Sequence, residues 1–315
     1  KTKGNLEFIY PGTSYIGHDG EHASWPVNQT NGKNINFYEE NNFGTYKSYH
    51  VLGKHTDFFG TYWHDDQFGM VRYAPYDEKI GKKIWIWGLS RQGMIWEKML
   101  TDTDGQYAEI QSGRLFNQNA VGSSLTPFKH LGFVPHGTDK WTEYWYPVNH
   151  TKGMVVANAS AALNIKWENG WLKWYCSPVA FFTDDLEIRE DAKILLKRKI
   201  EAKPLQTLLD SIRMEKPSGK LSIALLQQQL EWSSDPEFKT LSRPLDAPKP
   251  FDWTSADGLA IKAKELMDQK MFMEAGLKLK ESLSKNPNGI LGLVRVLSWK
   301  CGMEIFQWHL NMLKK

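Results

Sequence analysis

The chain has 315 residues, enough for one large β domain plus a smaller unit, so no disulfide staple is needed to complete a core. Its 39 basic and 36 acidic residues leave a formal net charge of +3, and no Lys/Arg run resembles a phosphate-tracking stripe, which argues against nucleic acid as a partner. The two cysteines, Cys176 and Cys301, are too few and too far apart for a thiolate metal cluster, and no stretch approaches the roughly 20 apolar residues of a membrane span. Behind the charges of Lys1-Thr2-Lys3-Gly4 there is no apolar signal region, so the chain is expected to be a soluble, mature or truncated product. A periplasmic or extracellular setting is preferred over a cytoplasmic one.

From Leu6 to about Phe182 short alternating runs are divided by Gly, Asn, Asp and Pro clusters, the punctuation of an all-β domain. The first forty residues, with Pro11-Gly12, Gly17, Gly20, Pro26 and Asn31-Gly32, suggest long loops on the ligand side. Lys83–Trp87, Trp141–Tyr146 and Ala162–Trp167 alternate cleanly. Glu168-Asn169-Gly170 then turns the chain into Trp171–Tyr175 as a hairpin partner, since Asn-Gly supplies the positive φ of tight hairpins. Alternation weakens after Thr183. Leu186–Leu205 and Leu221–Leu230 are read as strands of an appended β layer, although Ile223–Leu230 fits a helix equally well. Arg243–Pro250 is a proline-stiffened linker. Beyond it the period becomes helical: Leu259, Ala263, Leu266 and Met267 follow Thr254 or Ser255 as cap, and Phe272, Ala275, Leu279 and Leu283 repeat the spacing before Asn286-Pro287. A third helical stretch runs from Ile290 to about Leu313. The resulting division is a β-sandwich over 1–182, a β extension over 183–242, a Pro-rich linker over 243–252 and a tetratricopeptide-like segment over 253–315. One such helical unit leaves an apolar face that needs cover, from the β domain, a protein partner or further repeats.

The segment from Asp104 to Asn119 concentrates a carboxylate, primary amides and a guanidinium between glycines, the composition of a polar ligand site. As a strand it sets Tyr107, Glu109, Gln111 and Gly113 on one face, with Ala108, Ile110 and Ser112 on the other. A carboxylate is rarely carried into a sheet interior without partners, so the polar face should open on a cleft or on water. Aromatic residues make up 13% of the chain and include 14 tryptophans, more than a β core alone calls for where they interleave with polar residues. Flat indole faces suit the C–H faces of sugars, and their N–H groups suit hydroxyls.

Gly81-Lys82-Lys83, Trp87-Gly88, Trp96, Leu100-Thr101-Asp102, Gly105, Tyr107, Glu109, Gly113, Gln118 and Trp145-Tyr146-Pro147 together resemble a bacterial family catalogued as domain of unknown function 5107. The resemblance covers roughly residues 5 to 180. It implies a galactose-mutarotase-like super-sandwich, a mainly β fold used by aldose epimerases and by sugar-binding portions of glycoside-processing enzymes, often followed by tetratricopeptide repeats. Fold analogy does not establish chemistry. Where commoner members are expected to carry histidines, this chain has Gly69 to Ile80 without one, so an inherited histidine acid is not assumed there.

Glycoside hydrolysis needs a protonated carboxyl and a second carboxylate about 5 to 9.5 Å away. Glu109 is the first choice for one and Asp77, before Gly81, for the other, acting on an oligosaccharide or polysaccharide fragment. Arg72, Tyr76, Trp63, His64, Trp87, Arg91, Gln111, Arg114 and Gln118 are the expected substrate-binding residues. The competing interpretation is a structural ion pair among the same side chains. Two rival functions remain: an aldose 1-epimerase using one acid and one base, with His50, His55, His64, His130 and His136 available, and a non-catalytic carbohydrate-binding scaffold. The arginines would favour a carboxylated or sulfated sugar through forked hydrogen bonds. Adjacent His64, Asp65 and Asp66 cannot all point at one metal ion without a shaped loop, and neither a metal nor a cofactor is expected.

Overall fold

The computed structural model describes residues 4–17, 22–102, 104–105, 107–113, 134–241 and 252–313, with side chains described through Ile305. Arg114, Gln118, His130 and residues 243–251 of the expected linker lie outside the described residues. In chain order the strands are β1 (Leu6–Ile9), β2 (Ser14–Ile16), β3 (His22–Ser24), β4 (Tyr46–Leu52), β5 (Phe58–Trp63), β6 (Phe68–Tyr73) and β7 (Gly81–Trp87). Helix α1 (Arg91–Thr101) follows, then β8 (Ala108–Gly113), β9 (Tyr144–Asn149), β10 (Val156–Ala157), β11 (Ala161–Glu168), β12 (Trp171–Pro178) and β13 (Phe182–Glu190). The remaining elements are β14 (Lys193–Ala202), β15 (Leu208–Arg213), β16 (Leu221–Leu225), β17 (Leu230–Ser233), α2 (Ala256–Asp268), α3 (Phe272–Lys285) and α4 (Ile290–Leu313). The protein is thus mainly β with C-terminal helices.

The strands form four antiparallel sheets, ordered β1-β5-β6-β9, β3-β2-β4-β7-β8, β10-β11-β12-β15 and β14-β13-β16-β17. In the first of these, β5 is buried on both faces. Along β5, Phe58 and Tyr62 point into one core with Val71, Tyr146 and Val148, while Phe59 points into another with Leu6, Phe8, Tyr49, Ile84 and Ile86. This is the two-residue strand repeat delivering alternate side chains to opposite sides. The first core joins β5, β6 and β9 to β10–β14, β16 and β17, so the strands beyond residue 182 share packing with those before it. The second lies between the β1-β5-β6-β9 sheet and the five-stranded sheet.

The hairpin expected at Asn169-Gly170 is present: Glu168 pairs with Trp171, and both turn residues have positive φ, 52° and 80°. Ile223–Leu230, open between strand and helix in the sequence, is the β16–β17 hairpin, with Leu225 paired to Leu230. The strand expected from Trp141 begins only at Tyr144, because Glu143 and Trp141 are drawn into side-chain contacts described below. Helix α1 was not expected. Its apolar residues fall on an exposed face (Ile95, Met99 and Leu100 are all exposed), so the helical period carries little signal; Ser90, whose hydroxyl accepts from the Gly93 N–H at 3.2 Å, is the one clear start mark. A Cβ at Gly93 would lie 2.0 Å from the Gly88 carbonyl oxygen, so only glycine lets the helix seat this close to the end of β7.

Helices α2 and α3 pack through Ala263, Met267, Phe272, Ala275 and Leu279, with Val296, Trp299 and Met303 of α4 closing the cluster. The Trp299 indole donates to the Phe272 carbonyl at 2.6 Å, and Glu265 of α2 accepts from the Gly44 N–H, tying the helices to the loop before β4. No helix among the described residues is long and apolar enough to cross a membrane. Cys176 is buried and Cys301 exposed, both as free thiols.

Leu163 is fully buried in the larger core, so Leu163→Ala is expected to cost about 2–5 kcal/mol in denaturant unfolding. Ser255, whose hydroxyl accepts from the Gly258 N–H at 3.0 Å, caps α2. Ser255→Ala is expected to cost about 1 kcal/mol, seen as faster amide hydrogen exchange in α2 with β11 and β12 amides unchanged. Equal acceleration in both regions would contradict that localisation.

Candidate functional site

The five-stranded sheet has one face in the core and one facing away from it. Tyr49, Val51, Ile84 and Ile86 point into the core, with Ala108 and Ile110 packed against them. Their neighbours therefore share the far face. Ladder pairs Ser48–Trp85 and Trp85–Glu109 make one row across β4, β7 and β8. Tyr46 pairs with Trp87 in the row on one side. On the other side Lys83 pairs with Gln111, and continuing the ladder one residue beyond Tyr49–Ile84 sets His50 beside Lys83. Three rows thus grade from an exposed aromatic end to a buried polar end, where His50 and Lys83 are both buried.

The aromatic end is organised by α1. Trp96 stacks on Trp87 with ring centroids 4.7 Å apart and planes 10° from parallel, and Trp85 meets Trp87 edge-on at 4.8 Å. Tyr46 and Tyr107 complete the group around Trp85, at 5.6 and 6.3 Å. The Trp87 indole nitrogen is buried and has no hydrogen-bond partner among the described residues. A buried N–H left unmet is costly, so a ligand hydroxyl or water is the natural complement.

Glu109 accepts a hydrogen bond from the Gln111 amide and one from Tyr107, whose pKa is raised first by burial and then by that bond and the Glu109 charge. Lys83 stands diagonally across the ladder from it. Burial pulls the Lys83 pKa down, while the Glu109 charge opposes the shift. His50 Nδ1 bonds the Ile16 carbonyl at 3.0 Å, an arrangement that makes Nδ1 the donor.

Arg72 lies on the other side of this sheet. The alternation that sends Val71 into the larger core sends Arg72 toward Phe59 and the space between the sheets, where it is fully buried. Its Nε donates to Glu143 Oε2 at 3.4 Å. Glu143 also accepts from the Ser112 hydroxyl at 2.7 and 2.8 Å, from Trp141 Nε1 at 2.7 Å and from Trp145 Nε1 at 3.0 Å. Burial alone would raise its pKa; the bonds from Arg72, Ser112 and Trp141, with the Arg72 charge, outweigh burial and hold it low. Lys82, one residue from Lys83 and so on the opposite face, donates to the Thr56 carbonyl and lies 4.8 Å from the centre of the Tyr76 ring. Burial, then the Arg72 charge, brings its pKa down to about 7, against an opposing pull from Asp57. Tyr10 sits in the same group, its hydroxyl 3.3 Å from the Lys82 carbonyl and its pKa raised by burial.

The structure therefore divides the residues expected from sequence. Glu109, Gln111 and Trp87 share the far face of β7 and β8. Arg72 and Tyr76 belong to the interior cluster. Asp77 is on the loop before β7, its carboxylate highly exposed and 4.0 Å from His55, whose ring in turn contacts Tyr76 at 4.6 Å. Asp77 lies four residues before the start of β7 and outside the ladder, so no strand pairing sets it beside Glu109. His64 donates to or accepts from Glu7 at 2.7 Å at the far end of β5, and Trp63 packs near Phe68, both on the other sheet. Arg91 is exposed in the first turn of α1. Among the described residues no group of three or more His, Cys, Asp or Glu is arranged to hold a metal ion.

Sequence reasoning passed over Trp85, Lys83 and Ser48 on the far face and Lys82, Tyr10 and Glu143 in the interior. The signal for the lysines was present: adjacent residues in an alternating strand must part to opposite faces. No solved structure matches the chain. Residues 1–148, the region that holds both clusters, match the model of a family described as Domain of unknown function (DUF5107).

Proposed function

We propose that the chain is a carbohydrate-active protein that takes a sugar on the far face of β4, β7 and β8 and exchanges protons with it in an aldose 1-epimerase type of reaction. The observation that carries this reading is the shared face of Glu109 and the buried Trp87 indole N–H, which has no hydrogen-bond partner among the described residues: a carboxylate beside an aromatic surface with a donor to spare. The mutarotase-like fold implied by the family resemblance supports it as analogy only.

Mutarotation isomerises a sugar without a co-reactant. A base takes the proton of the anomeric hydroxyl, the bond from the anomeric carbon to the ring oxygen breaks as an acid protonates that oxygen, the carbonyl turns over, and the steps reverse. Glu109 and His50 are the pair for these transfers. They stand on strands flanking β7, two inter-strand steps apart and offset by two residues along the ladder, about 12 Å between backbones, a span that one sugar ring and two side chains fill. Trp85, between them, supplies the flat contact, and Gln111 holds the Glu109 carboxylate.

Glycoside hydrolysis is the second reading, favoured by the length of the aromatic row. Tyr46, Trp87 and Trp96 continue past Trp85 and offer stacking for more than one ring. Glu109 would then act with a second carboxylate, for which Asp77 is the candidate from sequence. Exposed apolar residues on the helices, including Leu277, Ile290 and Leu297, suit a protein partner in either case.

Anomer interconversion of galactose and glucose, followed by polarimetry, is expected to accelerate with the wild-type chain. Glu109→Gln should lose about 10²- to 10⁴-fold in rate while sugar-induced tryptophan quenching persists. Unchanged turnover in that variant removes Glu109 as the catalyst. Cleavage of oligosaccharide fragments without anomer exchange would select hydrolysis, and quenching without any turnover a binding scaffold.

A further inference from the structure

The interior cluster around Arg72 is rich in donors and short of acceptors. Nε of Arg72 is taken by Glu143, but Nη1 and Nη2 are buried and have no hydrogen-bond partner among the described residues. Lys82 is buried beside it, under Tyr76. The two nearby carboxylates are already engaged: Glu143 by Arg72, Ser112, Trp141 and Trp145, and Asp57 by the Tyr76 N–H at 2.7 Å. Arg72 and Lys82 thus share a buried site in which Glu143 is fully engaged and Asp57 has one oxygen on a backbone N–H. Buried polar groups in folded proteins are almost always met, so a guanidinium with both amino groups open calls for an occupant.

We propose that this end of the sandwich binds one small oxyanion, with Nη1 and Nη2 of Arg72 as a two-pronged donor and Lys82 as the second positive charge. The fork of a guanidinium matches two oxygens of a carboxylate, sulfate or phosphate group, and the neighbouring lysine balances the charge. The way in is short. Trp141 and Trp145, both bonded to Glu143, are 42% and 47% exposed, and His55, against Tyr76, is also partly open to solvent. Glu109 lies on the opposite side of β8 from Ser112, so this inference does not rest on the sugar reading.

The full chain is titrated with sodium sulfate, sodium phosphate and sodium glucuronate, with sodium chloride at matched ionic strength as control, reading the unfolding midpoint and the heat of binding. A saturable rise with at least one oxyanion and none with chloride is expected; glucuronate against the two inorganic anions separates a carboxylate ligand from a tetrahedral one. Arg72→Gln and Lys82→Met should each weaken the effect at least tenfold, and Lys82→Met keeps the Arg72–Glu143 pair if the arginine variant does not fold. Glu109→Gln should leave it intact, which separates this site from the sugar face. No saturable effect in the wild-type chain, as when water alone fills the fork, overturns the proposal, and so does an effect unchanged in Lys82→Met.

Discussion

Burial of β5 and the middle of β6 on both faces is the constraint from which the rest of the structure follows. A strand with one wet face can leave its polar residues in water, whereas β5 and the centre of β6 have none to offer. A charged side chain there must bring its partners inside. Arg72 is the exception that the sheet has to accommodate, and it does so by drawing Glu143, Ser112 and two indoles toward it from β8 and the approach to β9. Removing either charge would leave the other buried and unpaired, a loss of about 3–5 kcal/mol. The same requirement explains why β9 begins at Tyr144 and not at Trp141: the residues before it serve the arginine instead of a ladder.

Strand β7 links this interior to the far face. Its successive lysines part to opposite sides, Lys82 toward Arg72 and Lys83 toward Glu109, and both are desolvated. Their surroundings differ in sign. Lys82 meets another cation, which adds to burial in favouring the neutral amine. Lys83 meets a carboxylate, which works against burial and supports the charged form. One single-residue step along a strand therefore produces two electrostatic environments, one in which a cation adds to burial and one in which a carboxylate opposes it.

How far the sequence reveals this depends on the range of the interaction. The hairpin at Asn169-Gly170 and the three C-terminal helices were legible because turn residues, caps and apolar period act within a few residues. So was the face shared by Glu109 and Gln111, since it follows from alternation alone. Helix α1 was not, because its apolar residues are largely exposed and its seat depends on Gly93 meeting Gly88. Nor could sequence tell that Arg72 and Glu109 are divided by a sheet. That depends on which strands β6 and β8 pair with, and Arg72 reaches Glu143 across 71 residues.

The two glutamates make the chemical contrast that decides between the clusters. Glu143 accepts from a guanidinium, a hydroxyl and two indoles, and its pKa is held low. A carboxylate so saturated is fixed as an acceptor; taking up a proton would forfeit several charge-assisted bonds at once, so it is poorly suited to proton exchange. Glu109 has two neutral donors, Gln111 and Tyr107, and a lysine set diagonally to it, which leaves oxygen lone pairs for a ligand. The general distinction is between an acid that completes its own surroundings and one that its surroundings leave incomplete. On that ground Glu143 organises the interior, and Glu109 is the carboxylate that keeps acceptor capacity on the far face.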